Sequence, residues 1–204
     1  MTDSANKPVW HEPHVSRSEL WDTHQFHGMT IWLTGLSGSG KSTIAHELSR
    51  KLTELGKFAF VLDADNLRHG LNSNLGFSDD DRAENVRRMA EVAKLFASAG
   101  AITIVPIISP FASGRQFARL IHTADNLEFI EVHVATPLST CQERDTKGLY
   151  AQVKAGANIG LSGVTAPYEV PTAPEFVLCA NGESVDQCVE TLLRDVLQRF
   201  NMKR

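Results

Sequence analysis

The chain reads as an α/β fold, a doubly wound and mainly parallel sheet of about five strands with helices on both faces. Three observations predict it. Short apolar runs alternate with stretches of helical period along the sequence. Most of those runs are continuously apolar, as strands covered on both faces must be. Between the first run and the first helix lies the octapeptide G-L-S-G-S-G-K-S, residues 35–42. It fits the pattern G-x-x-x-x-G-K-[ST] at every fixed position, which puts the fold among the P-loop NTPases.

The elements follow in order. Residues 30–34 (T-I-W-L-T) form a short buried strand entering the octapeptide. Residues 43–55 leave it as a helix, with Ile44, Leu48, Leu52 and Leu55 along one face and Gly56 as the stop. Further strands are expected at 58–62, 102–108, 129–134 and 176–178. Ser78, with Asp81 three residues later, is an N-cap; Val86, Met89, Ala90, Ala93, Phe96 and Ala97 then follow at helical spacing as far as Gly100. Pro137 opens another helix, and residues 185–200 form the last. Residues 1–28 lack a sustained period and read as an N-terminal arm with a short helix near 18–21; residues 29–204 form the main domain. The stretch 145–174 carries Gly148, Gly156, Gly160, Gly163, Pro167, Pro171 and Pro174 and no long period. A loop of that length inside a compact domain is usually functional, and here it reads as a lid.

Composition narrows the function. With 204 residues there is enough chain for one well-filled core, and 42% hydrophobic with 22% charged residues is ordinary for a soluble domain. A net charge of −4 argues against a general nucleic-acid binder. No apolar stretch reaches membrane-spanning length, and the N-terminus lacks a signal-peptide core, so a cytoplasmic setting without membrane association is expected. Cys141, Cys179 and Cys188 form neither a metal-ligand spacing nor an even disulfide set. The pairs His11/His14 and His24/His27 sit in a polar leader without further ligands, so no metal is assigned to them.

Chemistry concentrates at the carboxyl ends of the strands, where ligands of such folds bind. In the P-loop, glycines let backbone N–H groups turn toward phosphate oxygens, and the helix N-terminus adds free donors. Lys41 is placed to reach β- and γ-phosphates, and the Ser42 hydroxyl to complete a Mg²⁺ shell. The second strand ends in L-D-A-D. If it persists, Asp63 and Asp65 share a face; if a helix starts at once, Asp65 is its N-cap, a role that suits Asp65 better than Asp63. Asp63 at the strand end can orient an acceptor hydroxyl, take its proton and help hold hydrated Mg²⁺. Downstream, Arg68, Arg82 and Asn85 surround Phe77, a set suited either to an anionic ligand with a flat base or to a solvated helix face over a core phenylalanine.

These segments resemble the adenylylsulfate (APS) kinases, of stand-alone bacterial type. The resemblance rests on G-L-S-G-S-G-K-S-T, L-D-A-D-N-L-R-H-G-L, L-G-F-S-D-D-D-R-A-E-N-V-R-R, I-I-S-P, F-I-E-V, R-D-T-K-G-L-Y and A-P-Y-E-V-P, with a similar leader V-W-H-E-P-H, and covers nearly the whole chain. It implies a P-loop kinase using ATP and Mg²⁺ to phosphorylate the 3′-hydroxyl of adenosine 5′-phosphosulfate. Gly35, Leu36, Ser37, Gly38, Ser39, Gly40, Lys41, Ser42 and Thr43 would then hold the ATP phosphates and metal, with Arg144 against the ATP adenine. Asp63 would act on the 3′-hydroxyl, and Ser42 and Asp63 would serve the metal. Arg68, Arg82 and Asn85 would hold the phosphosulfate end and ribose, Phe77 the adenine, Ile108 and Ser109 the pocket wall, and Lys147 would enter from the lid. The serine at 109 is also the family's candidate phosphoserine carrier; direct in-line transfer needs only positioning and charge neutralisation, with Ser109 contacting substrate. A homodimer is implied as well. The chain departs from the family pattern at Ala64, Ala112, Ala135 and Thr146, in keeping only Lys154 of a basic run, and in having Leu161 where a phenylalanine would stack on the acceptor adenine. Those departures leave open a related kinase with another nucleotide-like acceptor. A non-catalytic nucleotide-binding subunit is the reading from another class.

Overall fold

In the computed structural model, residues 8–9, 11–24, 26–179 and 182–201 are described. The first part of the expected arm and the last three residues lie outside them. The elements are α1 (Arg17–His24), β1 (Met29–Thr34), α2 (Lys41–Glu54), β2 (Ala59–Val61), α3 (Ala64–Leu67), α4 (Asp79–Ser98), β3 (Ile102–Pro106), α5 (Ala112–Ala124), β4 (Glu128–Val134), α6 (Leu138–Arg144), α7 (Leu149–Lys154), β5 (Phe176–Leu178) and α8 (Val185–Asn201).

The five strands form one sheet in the order β2-β3-β1-β4-β5, and every pairing is parallel. β1 is central, with Ile31 opposite Ile104 on one side and Ile130 on the other. Alternation along β1 sends Met29, Ile31 and Leu33 to one face and Thr30, Trp32 and Thr34 to the other, all six buried. The first face packs on Ile44, Leu48 and Leu52 of α2 and on Val189, Leu192 and Val196 of α8. The second packs Trp32, Val105 and Phe129 on Val86, Met89, Ala90 and Ala93 of α4 and on Ala118 of α5. Helices therefore cover both faces, as the continuously apolar strands require.

Several boundaries differ from the expectation. The third strand stops at Pro106: Ile107 N–H makes the last ladder bond, to the Leu33 carbonyl (3.0 Å), and the carbonyl of Ile108 accepts from the Thr34 side chain (2.6 Å). α2 starts at Lys41 rather than at residue 43. α5 falls where the strand–helix alternation implies a helix, but its bounds are not legible in the sequence, since its buried residues include Arg115 and His122 and break the apolar period. The stretch 145–174, expected to lack regular structure, contains α7, and Leu161 O accepts N–H bonds from Val164, Thr165 and Ala166 in a tight turn.

The expected short helix of the leader is α1, and it is tied to the far end of the domain. Trp21 Nε1 donates to the Ser98 carbonyl at 3.1 Å, Arg17 bonds the Asp125 carbonyl, and Phe26 is buried in the first core. The three cysteines are buried free thiols, with Cys179 and Cys188 side by side. Among the described residues, no helix is long and apolar enough to cross a membrane. No group of three or more His, Cys, Asp or Glu among them is placed to hold a metal ion.

Candidate active site

All five strands point their carboxyl ends the same way, and the connections leaving them enclose a cavity of about 400 Å³. One end is the loop between β1 and α2. Gly35, Gly38 and Gly40 all take positive φ, and an added Cβ on Gly35 would meet the Val134 carbonyl oxygen at 2.5 Å. Only glycine fits there, wedged against the end of β4. Loop carbonyls are tied from outside: Thr136 Oγ1 donates to Ser39 O (2.8 Å) and Tyr150 Oη to Ser37 O (2.9 Å). With its carbonyls held, the loop leaves backbone N–H groups and the start of α2 for an anion.

Lys41 is buried beneath this loop, its Nζ donating to Gly35 O (3.0 Å), Leu36 O (2.7 Å) and Ser39 Oγ (3.4 Å). Burial first, and then repulsion from Lys147, pull its pKa down to about 8. The next residue, Ser42, donates from Oγ to Asp63 Oδ2 at 3.0 Å. Asp63 and not Asp65 caps α3: its other oxygen, Oδ1, accepts from the backbone N–H of Asp65 (2.9 Å) and Asn66 (3.4 Å). The strand ends before Leu62 and the helix starts at Ala64, so the cap falls two residues earlier than the sequence suggested. A single carboxylate thus secures the α3 turn with one oxygen and faces the P-loop serine with the other.

The opposite wall comes from the α3–α4 connection, from α4 and from the segment after β3. Arg68 donates to Leu75 O (3.1 Å) and Gly76 O (3.0 Å), and its guanidinium lies 4.3 Å over the Phe77 ring. Phe77 is 67% exposed, so it is not a core residue. Arg82 donates to Phe77 O (2.8 Å) and reaches the lid at Gly160 O (2.7 Å) and Ser162 Oγ (3.1 Å). Asn85 is buried but lines the cavity, and its Oδ1 accepts from Asn72 Nδ2 at 3.0 Å. Ser109 sits in the left-handed region (φ 39), uncommon for a residue with a side chain. Trp32 Nε1 donates to its hydroxyl (3.1 Å), and Arg115 donates to its carbonyl (2.7 Å).

The segment from Arg144 to Lys147 adds two further basic residues to the lining. Lys147 lines the cavity and pairs with Asp65 across its mouth. Arg144 lines the loop end and contacts Gly38 O at 3.4 Å.

Of the residues singled out in the sequence, Ser37, Gly38, Gly40, Lys41, Ser42, Thr43 and Arg144 line one end of the cavity. Arg68, Phe77, Arg82, Asn85, Ile108, Ser109 and Lys147 line the rest. Gly35, Leu36, Ser39 and Asp63 stand directly behind that lining and support it. Leu161 does not face the cavity: it is buried with Cys141 and Tyr150 in the lid's own cluster, against Leu36, Leu138 and Val153. Sequence reading missed Thr136, Tyr150 and Arg115, which hold the site from behind. Arg115 bonds Glu131 (2.8 Å), Ser109 O and Glu169 O (2.7 Å), and only a charged residue on a buried helix face would have signalled it.

Comparison with known proteins agrees with this geometry. The family model for adenylylsulphate kinase matches residues 27–179. An adenylyl-sulfate kinase of Marinobacter nauticus is 49% identical over 195 residues, covering 96% of this chain and 97% of that protein. A probable adenylyl-sulfate kinase of Halalkalibacterium halodurans is 48% identical over 191 residues, 93% of this chain and 94% of its own length. Among solved structures, the Mycobacterium tuberculosis APS kinase in complex with AMPPNP and APS superposes with a TM-score of 0.81 at 47% identity, covering 85% of this chain and 99% of that one. On the matched residues and on relatives of this identity and coverage, the chain belongs to the adenylyl-sulfate kinase family.

Proposed function

We propose that the chain transfers the γ-phosphoryl group of ATP to the 3′-hydroxyl of adenosine 5′-phosphosulfate, yielding ADP and 3′-phosphoadenylyl sulfate (PAPS) for sulfate assimilation in the cytoplasm. The observation that carries this reading is the single cavity with a P-loop at one end and the Arg68–Phe77–Arg82–Asn85 wall at the other. Two nucleotides laid end to end bring their phosphate and ribose together between those walls.

The loop N–H groups, Lys41 and the start of α2 bind the triphosphate, and Arg144 packs at its base. The Ser42 hydroxyl and the Asp63 carboxylate are hard oxygen donors 3.0 Å apart, the kind of pair that Mg²⁺ takes from a protein alongside phosphate oxygens and water. When bound there, Mg²⁺ neutralises charge on the phosphate oxygens. Asp63 orients the 3′-hydroxyl and accepts its proton as the oxygen attacks phosphorus in line. Arg68 and Arg82 hold the anionic end of the acceptor and Phe77 offers it a face, while Lys147 closes over the phosphates. Ser109 contacts the acceptor; its hydroxyl already serves the Trp32 indole, and the in-line route needs no carrier. Leu161 lies in the lid core, so its replacement removes no face from the cavity wall as it stands. We infer residues 29–204 to be the kinase domain with its lid at about 145–174, residues 1–28 to be an arm, and the active form to be a homodimer.

The test is a direct assay of MgATP with APS, following ADP and the nucleotide product by chromatography. PAPS at micromolar APS is the expected result. ATP binding without PAPS would sink the acceptor assignment and direct attention to other nucleotide acceptors.

A further inference from the structure

The wall that faces the acceptor contains an amide whose orientation is set from behind. Asn85 lines the cavity, and its Oδ1 is taken by the Nδ2 of Asn72 at 3.0 Å. Asn72 itself is fully buried and is not one of the residues lining the cavity. Its backbone is fixed at both ends: its N–H donates to Leu67 O (2.9 Å), and its carbonyl accepts from Leu75 N–H (3.1 Å). Its side-chain Oδ1 has no partner among the described residues. The reversed arrangement, with Asn85 donating and Asn72 accepting, would leave both N–H groups of Asn72 unpaired in the interior. An under-used carbonyl oxygen is the less costly orphan. Asn85 is thereby held with its oxygen turned inward and its NH₂ toward the cavity.

We propose that Asn72 is a positioning residue for the acceptor. By occupying Asn85 Oδ1 it makes Asn85 present a donor to the cavity, beside the guanidinium groups of Arg68 and Arg82. Such a wall binds an acceptor atom, an anionic or ribose oxygen, and rejects a donor at the same place. The inference rests on the proposed acceptor being APS and deepens it by naming what selects the polarity of that contact.

Asn72→Asp tests it. A carboxylate can only accept, so Asn85 must turn over to donate to it and present its own oxygen to the ligand. KM for APS should rise by roughly 10- to 100-fold, the cost of losing a hydrogen bond to a charged group, while KM for MgATP stays within about twofold. In an Asn85→Ala background the same substitution should add no further rise, because Asn72 acts through Asn85. An equal rise in both backgrounds, or an unchanged KM for APS, would overturn the proposal. Should the variant fold poorly, the wild-type protein carries the test: with ¹⁵N-asparagine labelling, the Asn72 side-chain protons should exchange slowly and the Asn85 Nδ2 resonance should move on APS addition. Fast exchange at Asn72 and no APS response at Asn85 would equally overturn it. Wild-type turnover of APS is measured first; its absence would defeat the acceptor assignment while the exchange data still report the amide orientation.

Discussion

Asp63 divides two duties between two oxygens, and substitutions should separate them. In Asp63→Asn the side-chain oxygen can still cap α3, but the group facing Ser42 no longer accepts a proton. We expect kcat to fall by roughly 10²–10⁴ with ATP binding and the melting temperature largely kept. Asp63→Ala should lose the cap too, costing about 1 kcal/mol of stability in denaturant titrations. Unchanged turnover in Asp63→Asn would remove the residue from the chemistry. Lys41 gives a pH signature. Its pKa is about 8 in the folded protein and the ordinary lysine value of 10.5 when unfolded. Between those values the unfolded chain holds a proton that the folded chain has released, so this lysine makes unfolding free energy rise with pH from about 8 to 10.5. That rise should be absent from Lys41→Met when both proteins are unfolded chemically at pH 7.5 and 10. Phosphate binding needs the charged form, so affinity for an ATP analogue should weaken as pH climbs past about 8, a trend isothermal titration would read directly.

At the scale of elements, legibility follows how each one is buried. The strands were readable because both faces are covered, which leaves no polar alternation to confuse with a loop. α4 was readable because Ser78 and Asp81 cap it reciprocally, with Ser78 Oγ accepting from Asp81 N–H (3.2 Å) and donating to its carboxylate (2.7 Å). Ser78→Ala should therefore cost about 1 kcal/mol in thermal or chemical unfolding. α5 was hidden for the opposite reason. It opens on Phe111 with no side-chain cap, and it buries Arg115 against Glu131 and His122 against Thr30, so its inner face does not look apolar. The candidate site divides the same way. Residues in contiguous motifs (the P-loop, Arg68, Arg82, Asn85) were legible, whereas Tyr150, Thr136 and Arg115 act across more than one element and carry no local pattern. Leu161 was expected at the acceptor, and only the packing shows its side chain buried with Cys141 and Tyr150 instead of lining the cavity.

For the whole molecule, the two ends of the cavity share one set of supports. The P-loop is tied to the segment after β4 through Thr136 and to α7 through Tyr150, and the Arg68–Asn85 wall is tied to the 145–174 stretch through Arg82. A close seam lies at the turn after Leu161, where an added Cβ on Gly163 (φ 82) would meet Leu36 Cδ2 at 2.5 Å. Gly163→Ala should strain the turn through its positive φ and displace the Leu36 side chain, raising KM for both substrates in steady-state kinetics. An effect confined to APS would show that the seam does not reach the P-loop. Leu36 belongs to the phosphate loop by sequence and to the lid cluster by packing. If binding at one end of the cavity settles that leucine, binding at the other end should be favoured by the same factor, in either order of addition.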